Sequence, residues 1–270
     1  MNFKDSIINR ESEFYDRYAE TVIINRLEPL KAFPLCSGEY AYVLKLLGDI
    51  SGQTVLDIGC GHGDSTAYFS LKGAKVIGID VSHKCLVLAR NLAQKWRVEE
   101  QTDFIGMDIR NMGLSSEFFN IIYGDGVLHH LDMRSALGEI NRVLKRGGIA
   151  IFIEPQRGNI FMRIYRLFAA DVRSLDEKPL TAKDLIFLRK IFKNVDITSF
   201  QLLSLIIFAL YFIKLRLLKR IWPYWFDDVT HGKVLPKMYR FLQKLDMVIL
   251  NNIPFLRKYT WNLVICYTKK

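Results

Sequence analysis

The chain has 270 residues and a net charge of +10, and half of its residues are hydrophobic. That length and apolar content suit one large domain, or one domain with an elaboration, around a sizeable core. The four cysteines, at 36, 60, 85 and 266, are scattered and form no CxxC pair. This points to a reducing compartment and excludes a zinc site or a disulfide framework.

In chain order, Met1 to Asp5 lead into a polar, charged helix over 3–20, unlike the apolar run of a secretory leader. Phe14, Tyr15 and Tyr18 stand near the end of that helix. Leu35 to Leu47 reads as a second helix. Strands and helices then alternate: strand 53–58, helix 64–72, strand 75–79, helix 82–96, strands 102–106 and 119–124, helix 132–145 and strand 148–154. Alternation of this kind builds a parallel sheet with helices on both faces. Gly147-Gly148 is read as the stop of the helix before the fifth strand. An amphipathic stretch follows at 159–168. Thr181 is the expected N-cap of a helix to Phe192, with Asp184 at the capping-box position. Val195 to Phe200 reads as a sixth strand and Trp261 to Tyr267 as a seventh.

The stretch Thr54-Val55-Leu56-Asp57-Ile58-Gly59-Cys60-Gly61-His62-Gly63 carries most of the functional information. An apolar strand ends in an acid and turns through glycines into a helix start at Asp64-Ser65-Thr66-Ala67. Glycines let backbone approach a ligand, and the free N–H groups that open a helix add polar contacts. Asp80 ends the next strand 21 residues past Gly59, where an acid can accept both hydroxyls of a ribose. An NAD fingerprint spaces its glycines G-x-G-x-x-G. Here the pattern is D-x-G-x-G-x-G, which favours S-adenosylmethionine.

These residues resemble the first motif of class I S-adenosylmethionine-dependent methyltransferases of the small-molecule, type 11 kind. Further stretches resemble that family in order over residues 38–155. Ile79-Asp80-Val81-Ser82 is similar to the ribose-holding motif. Gly106-Met107-Asp108-Ile109 is similar to the adenine loop. Phe119 to Asp125 is similar to the fourth strand, followed by Val127-Leu128-His129-His130-Leu131. Arg142 to Gly148 is similar to the turn before strand five. One departure is Asn120, where many relatives carry Asp; that position is structural in the family.

The resemblance implies an α/β, Rossmann-like, doubly wound sheet of seven strands with strand seven antiparallel. It implies S-adenosyl-L-methionine as cofactor, S-adenosyl-L-homocysteine as product and no metal. Cofactor contacts are expected from Asp57, Gly59, Cys60, Gly61, Asp80, Val81, Asp108, Ile109, Gly124 and Asp125. Asp57 is assigned to loop geometry or to the cofactor's amino group, and Asp125 to its methionine part. Cys60 reads as a small loop residue and His62 as a solvent-facing one. His129 and His130 follow strand four at the carboxyl edge of the sheet, and Glu154 ends strand five. These three are the candidate bases, because a hydroxyl acceptor gains from a base that titrates near neutrality. Tyr15, Tyr18, His129 and Glu154 are the candidate substrate contacts.

The expected organisation is an N-terminal helical lid at 1–36, a Rossmann-like domain at 37–200, a helical insertion at 201–259 between strands six and seven, and the final strand at 260–270. The insertion holds ten Lys or Arg against three Asp, so most of the positive charge sits there. Leu202 to Ile213 is apolar except for Ser204, too short for the roughly 20 residues of a membrane span. Lys214, Arg216, Lys219 and Arg220 and the aromatics Trp222, Tyr224, Trp225 and Phe226 follow. Leu235, Met238, Tyr239, Leu242, Leu245, Val248 and Ile249 recur at helical spacing. Two readings stand for the insertion: a cap lining a hydrophobic pocket, or contact of 201–226 with an anionic membrane surface. Nucleic acid is excluded as a partner, since the basic residues alternate with aliphatics.

The expected function is methyl transfer to a hydrophobic small-molecule or lipid-like acceptor, by in-line displacement onto oxygen. C-methylation of a quinone or polyketide and a non-catalytic cofactor-binding role are the alternatives. The expected location is cytoplasmic, or peripheral at the inner face of the membrane. Acceptor identity and oligomeric state are not encoded in these patterns.

Overall fold

The computed structural model describes residues 3–22, 28, 33, 37–159, 174, 177–192, 194–210 and 235–270. The elements are α1 (Phe3–Ala19), α2 (Gly38–Leu47), β1 (Thr54–Ile58), α3 (Asp64–Leu71), β2 (Lys75–Asp80), α4 (His83–Lys95), β3 (Thr102–Gly106), β4 (Phe119–Asp125), α5 (Met133–Val143), β5 (Leu144–Pro155), α6 (Ala182–Ile191), β6 (Val195–Phe200), α7 (Leu235–Asn252) and β7 (Asn262–Thr268). The start expected for α2 at Leu35, the amphipathic stretch from 160 on, and residues 211–226 of the proposed membrane element lie outside the described residues.

The strands form one seven-stranded sheet in the order β3-β2-β1-β4-β5-β7-β6. β1 pairs in parallel with β2 and β4, and β4 with β5; β7 runs antiparallel to both β5 and β6. The chain moves outward to β2 and β3 on one side of β1 and to β4 on the other. The crevice for a ligand in such a sheet opens at that reversal, beyond the carboxyl ends of β1 and β4.

The strands are near-continuous apolar runs because both faces are covered. On one face Leu56, Ile58, Ile122 and Phe152 pack with Leu137, Ile140 and Val143 of α5 and Leu188 of α6. On the other, Val55, Val76, Tyr123 and Ile151 pack with Val43 and Leu47 of α2 and Phe69 of α3. Each fully buried aliphatic side chain contributes about 1.5–3 kcal/mol. Asn120 ties the sheet at its amino edge. Its Oδ1 accepts from the Thr54 N–H at 3.1 Å, the Thr54 hydroxyl at 2.6 Å and the Lys145 ammonium at 3.1 Å. The amide therefore fills the structural position with acceptor bonds alone.

Most helix boundaries fall as expected. Ser82 caps α4, and the Thr181–Asp184 capping box opens α6. One boundary differs. α5 ends at Val143, and Leu144 is already extended, fully buried and paired with Phe119. Burying Leu144 in the sheet outweighs one more helical turn. Gly147 is then not a helix cap; it turns inside β5, where its N–H donates to Lys269 O at 2.8 Å.

The insertion docks through polar groups that apolar periodicity does not reveal. Of the apolar set expected on α7, Tyr239 is buried, but Met238, Leu245 and Val248 are exposed. Gln243 and Asp246 are buried instead. The Asp246 carboxylate accepts from the backbone N–H groups of Leu202, Leu203 and Ser204 at 3.0, 2.7 and 3.2 Å, and from the Ser204 hydroxyl at 2.6 Å. It thus caps the helix that begins at Leu205, from a different part of the chain. Gln201 donates to Tyr239 Oη at 2.6 Å and to the buried Glu39 of α2, and Tyr239 shares a hydrogen bond with Ser37 at 3.0 Å. Leu205, Ile207 and Phe208 face inward while Ile206 and Leu210 are exposed, so only one side of the described apolar run packs on the protein.

Gly63 sets how closely α3 and α4 approach. Its φ is +84°, and an added Cβ would lie 2.7 Å from Ala89 Cβ and 3.0 Å from Ala89 Cα. Gly63→Ala combines a left-handed backbone with a helix–helix clash, and should cost about 2–3 kcal/mol in denaturant unfolding. A loss within about 0.5 kcal/mol, the range of an ordinary surface change, would contradict this tight packing.

Candidate active site

A cavity of about 160 Å³ lies at the carboxyl edge of the sheet. Its floor is Gly59 and Gly61 from the β1 loop, Asp80 and Val81 from the end of β2, and Asp125, Gly126 and Val127 from the end of β4. Met107, Asp108 and Ile109 form one wall. Ile8, Glu11 and Tyr15 of α1 form the roof, and His130 closes the far end. Ile8, Glu11 and Tyr15 share one helix face by their spacing.

The roof is fastened to the turn between β2 and α4. The Ser12 hydroxyl donates to Val81 O at 3.0 Å. Asp16 Oδ1 accepts from the Ser82 hydroxyl at 2.5 Å and the Lys84 N–H at 3.0 Å. Lys84 also pairs with Glu20.

Four carboxylates crowd this edge, each with different partners. Asp80 Oδ2 accepts from the Gly61 N–H at 2.9 Å and Oδ1 from the Ser82 N–H at 2.8 Å; burial nonetheless raises its pKa. Asp57 lies beneath the glycine loop and accepts from Thr66 Oγ1 at 2.6 Å. Burial holds its carboxyl at about 8. Asp125 accepts from Tyr40 Oη at 2.7 Å and more weakly from Tyr123 Oη at 3.4 Å. Water reaches Asp125 through the cavity, yet protein surrounds it over the longer range that solvates a charge. That enclosure, with the Glu154 and Asp64 carboxylates nearby, lifts it to about 7. Glu154 is fully buried. Its carboxylate accepts from the N–H groups of Val127, Leu128 and His129 at 3.0, 2.7 and 3.3 Å, and lies 2.8 Å from His129 Nδ1.

The expected site residues therefore separate. Gly59, Gly61, Asp80, Val81, Asp108, Ile109, Asp125, His130 and Tyr15 line the cavity. Asp57, Cys60, Gly124, Tyr18, His129 and Glu154 stand behind its wall. Asp108 faces the cavity, but its carboxylate is gripped by the Arg110 guanidinium at 3.1 Å. Cys60 is buried, and its thiol is pushed well up by burial, so it is no nucleophile. His62 lies 3.7 Å from Asp64 at the rim of the loop.

His130 sits in a chain of polar groups that brings in two residues outside the expected set. The Tyr15 hydroxyl lies 3.2 Å from Nε2. Burial, with Glu11 and Asp80 close by, raises the Tyr15 phenol far above its ordinary range, so it keeps its proton and donates. Nε2 is then the acceptor nitrogen and Nδ1 carries the proton. Nδ1 is 3.1 Å from Glu11 Oε2, and Ser174 Oγ donates to Glu11 Oε1 at 2.5 Å. Glu11 was legible in principle, four residues before Tyr15 on one helix face. Ser174 had no local signal.

The wall suits a cofactor with a cationic centre. At Gly61 an added Cβ would meet open space, so backbone is presented directly to a ligand. Among the described residues, neither Asp80 nor Asp125 has a Lys or Arg at ion-pair distance. Two acids that burial penalises and no cation relieves favour a positively charged ligand over a pyrophosphate. Residues Gly61, Asp80 and Asp125 would hold S-adenosylmethionine by its sugar and its charged end.

Glu154 fixes the turn that carries His130. Glu154→Gln replaces one acceptor oxygen with a donor that faces backbone donors. It should cost about 2–4 kcal/mol in urea unfolding, the range for a broken buried network. An unchanged unfolding free energy would show that other contacts hold the turn.

Comparison with known proteins agrees with this geometry. Residues 56–152 match a family described as a methyltransferase domain. An uncharacterised protein of Methanocaldococcus jannaschii is 31% identical over 140 residues, 52% of this chain and 49% of that one. The demethylmenaquinone methyltransferase of Lactococcus lactis is 30% identical over 138 residues, 49% of this chain and 54% of the enzyme. The chain thus spans about half the length of these curated relatives. The geranyl diphosphate C-methyltransferase of Streptomyces coelicolor superposes with a TM-score of 0.62 at 13% identity, covering 96% of this chain and 98% of that one. Residues 56–152 thus match a methyltransferase domain, and this part of the chain is similar to that of S-adenosylmethionine-dependent methyltransferases.

Proposed function

We propose that this protein transfers a methyl group from S-adenosylmethionine to a hydroxyl or carboxylate of a hydrophobic small molecule. The observation that carries the reading is the cavity itself, with uncompensated acids at one end and a hydrogen-bonded imidazole at the other. The bound cofactor supplies a methyl group on a sulfonium, which leaves as a neutral thioether.

The chain's residues then have positioning and proton handling to do. The acids, with the Gly61 backbone against the ligand, fix the cofactor end. His130 Nε2 is the basic atom on the cavity wall. An acceptor hydroxyl that takes the place of the Tyr15 phenol gives its proton to Nε2 as its oxygen gains the methyl. Glu11, on Nδ1, stabilises the imidazolium that forms, as the third member of a triad does. Glu154 and His129 act by shaping the turn. Helix α1 excludes water from the reacting atoms and has to part from the sheet edge for exchange.

The names demethylmenaquinone and geranyl diphosphate methyltransferase support an apolar acceptor. The second name also keeps C-methylation in view, which needs no oxygen base. His130→Asn separates the two. With labelled S-adenosylmethionine and phenolic, fatty-acid and prenyl acceptors, O-transfer should lose about 10²–10⁴ in kcat with a near-constant cofactor affinity. Undiminished turnover would remove His130 as the base and favour carbon as the acceptor.

A peripheral membrane contact accompanies this reading. No described helix is long and apolar enough to cross a bilayer. α7, however, exposes Met238, Phe241, Leu245 and Val248 along one side, flanked by Lys237, Arg240 and Lys244. That pattern suits a helix lying in an anionic interface. The protein should sediment with phosphatidylglycerol vesicles at low salt. Complete retention in the supernatant would rule the contact out.

A further inference from the structure

A second cavity, of about 610 Å³, opens on the other side of β5 from the site above. It lies between the chain just after β5, the first turns of α6, and the 3-10 turn Pro254–Tyr259 that precedes β7. Arg157, Arg189, Arg257 and Lys258 line it, and among the described residues no Asp or Glu does. Its floor is apolar, from Leu185, Ile197 and Leu263. Among the described residues, none of the four cations has a carboxylate at ion-pair distance.

The backbone that carries these cations is locked. Gln156 is buried, and its amide donates to Arg257 O at 2.7 Å and to Thr260 Oγ1. Asn159, also buried, donates to Tyr259 O at 2.6 Å. Gly158 lies so close to the Lys258 carbonyl that an added Cβ would fall 1.7 Å from its oxygen, which excludes any side chain. Two basic segments distant in sequence are thus fastened back to back by buried amides. Arg257 Nε donates to Leu250 O at 3.1 Å, so its terminal nitrogens remain for a ligand. Among the described residues the Arg157 and Arg189 guanidinium groups have no ion-pair partner, and both are planar forks suited to phosphate oxygens.

All four cations are exposed, so water screens their mutual repulsion, and together they present one electropositive opening to an anion. We infer that this cavity binds a phosphate or diphosphate group, carried either by a soluble acceptor or by a lipid headgroup. The inference rests on the cation cluster and holds whether or not methyl transfer is the reaction. Where it is, the acceptor or its anchor is a phosphorylated, apolar-tailed molecule whose charged end sits beyond β5.

The test is calorimetric titration of the full chain with inorganic diphosphate at low ionic strength, alongside Arg157→Gln, Arg257→Gln and the double variant. Each single variant should weaken binding about tenfold and the double about a hundredfold, with unchanged melting temperatures. Affinity should fall as salt is raised. Charge-retaining Arg257→Lys should keep most of the affinity, which separates a lost charge from a damaged fold. Wild-type protein that fails to bind diphosphate, or variants that bind it as well as wild type, would overturn the assignment. Vesicles containing phosphatidic acid distinguish the sources. Capture that diphosphate competes away and that the double variant loses marks a lipid headgroup; diphosphate binding without such capture marks a soluble phosphate. Failure of S-adenosylmethionine to bind would defeat the methyl-transfer reading and leave the diphosphate result standing.

Discussion

The constraint on which the structure turns is electrostatic. β1, β2, β4 and β5 each bring a carboxylate to the same edge of the sheet, and a low-dielectric interior penalises every one. Each is treated differently. Glu154 is satisfied completely, by three backbone N–H groups and an imidazole. Among the described residues Asp57 has only the Thr66 hydroxyl, and burial lifts it to about 8. Asp80 and Asp125 keep acceptor capacity toward the cavity and lack a cationic partner among the described residues. The fold thus satisfies Glu154 and leaves Asp80 and Asp125 with acceptor capacity for a ligand.

The lid follows from the same arrangement. Among the described residues of α1, none brings a positive charge to the cavity; the helix brings Glu11 and the Tyr15 phenol. The phenol cannot ionise in that setting, so it fixes which nitrogen of His130 is basic. Glu11 Oε2 lies 3.1 Å from the opposite nitrogen. On the proposed function, α1 over the cavity would both exclude water and complete the His130 base. Asp16 and Ser82 tie α1 to the turn that follows Asp80.

Much of this was readable from the chain, because the motifs are local. The strand–glycine–helix turn, the acid 21 residues later and the Thr181–Asp184 capping box depend on neighbours within one element, and all lie where the spacing placed them. What sequence could not convey depends on distant partners. Whether Glu154 faces the cavity or the turn behind it was decided by backbone donors at 127–129. α7 looked like an apolar helix, yet docks by Asp246 and Gln243, because the chain turn at 202–204 needed a cap and α7 supplies it. Gly147 read as a helix stop until Leu144 was seen to be claimed by the sheet. The cluster of Arg157, Arg189, Arg257 and Lys258 joins residues a hundred positions apart and has no sequence signature at all.

The central claim is that Asp80 and Asp125 await a cation. Calorimetric titration with S-adenosylmethionine and with NAD between pH 5.5 and 7 tests it most directly. A bound cation lowers the Asp125 pKa from its free value of about 7. Affinity for S-adenosylmethionine is then full above that pH and falls by up to about tenfold per unit below it, with proton release on binding. Asp125→Asn should flatten that dependence, and NAD should not bind. Tighter binding of NAD, or an S-adenosylmethionine affinity that improves as the pH falls, would contradict the account.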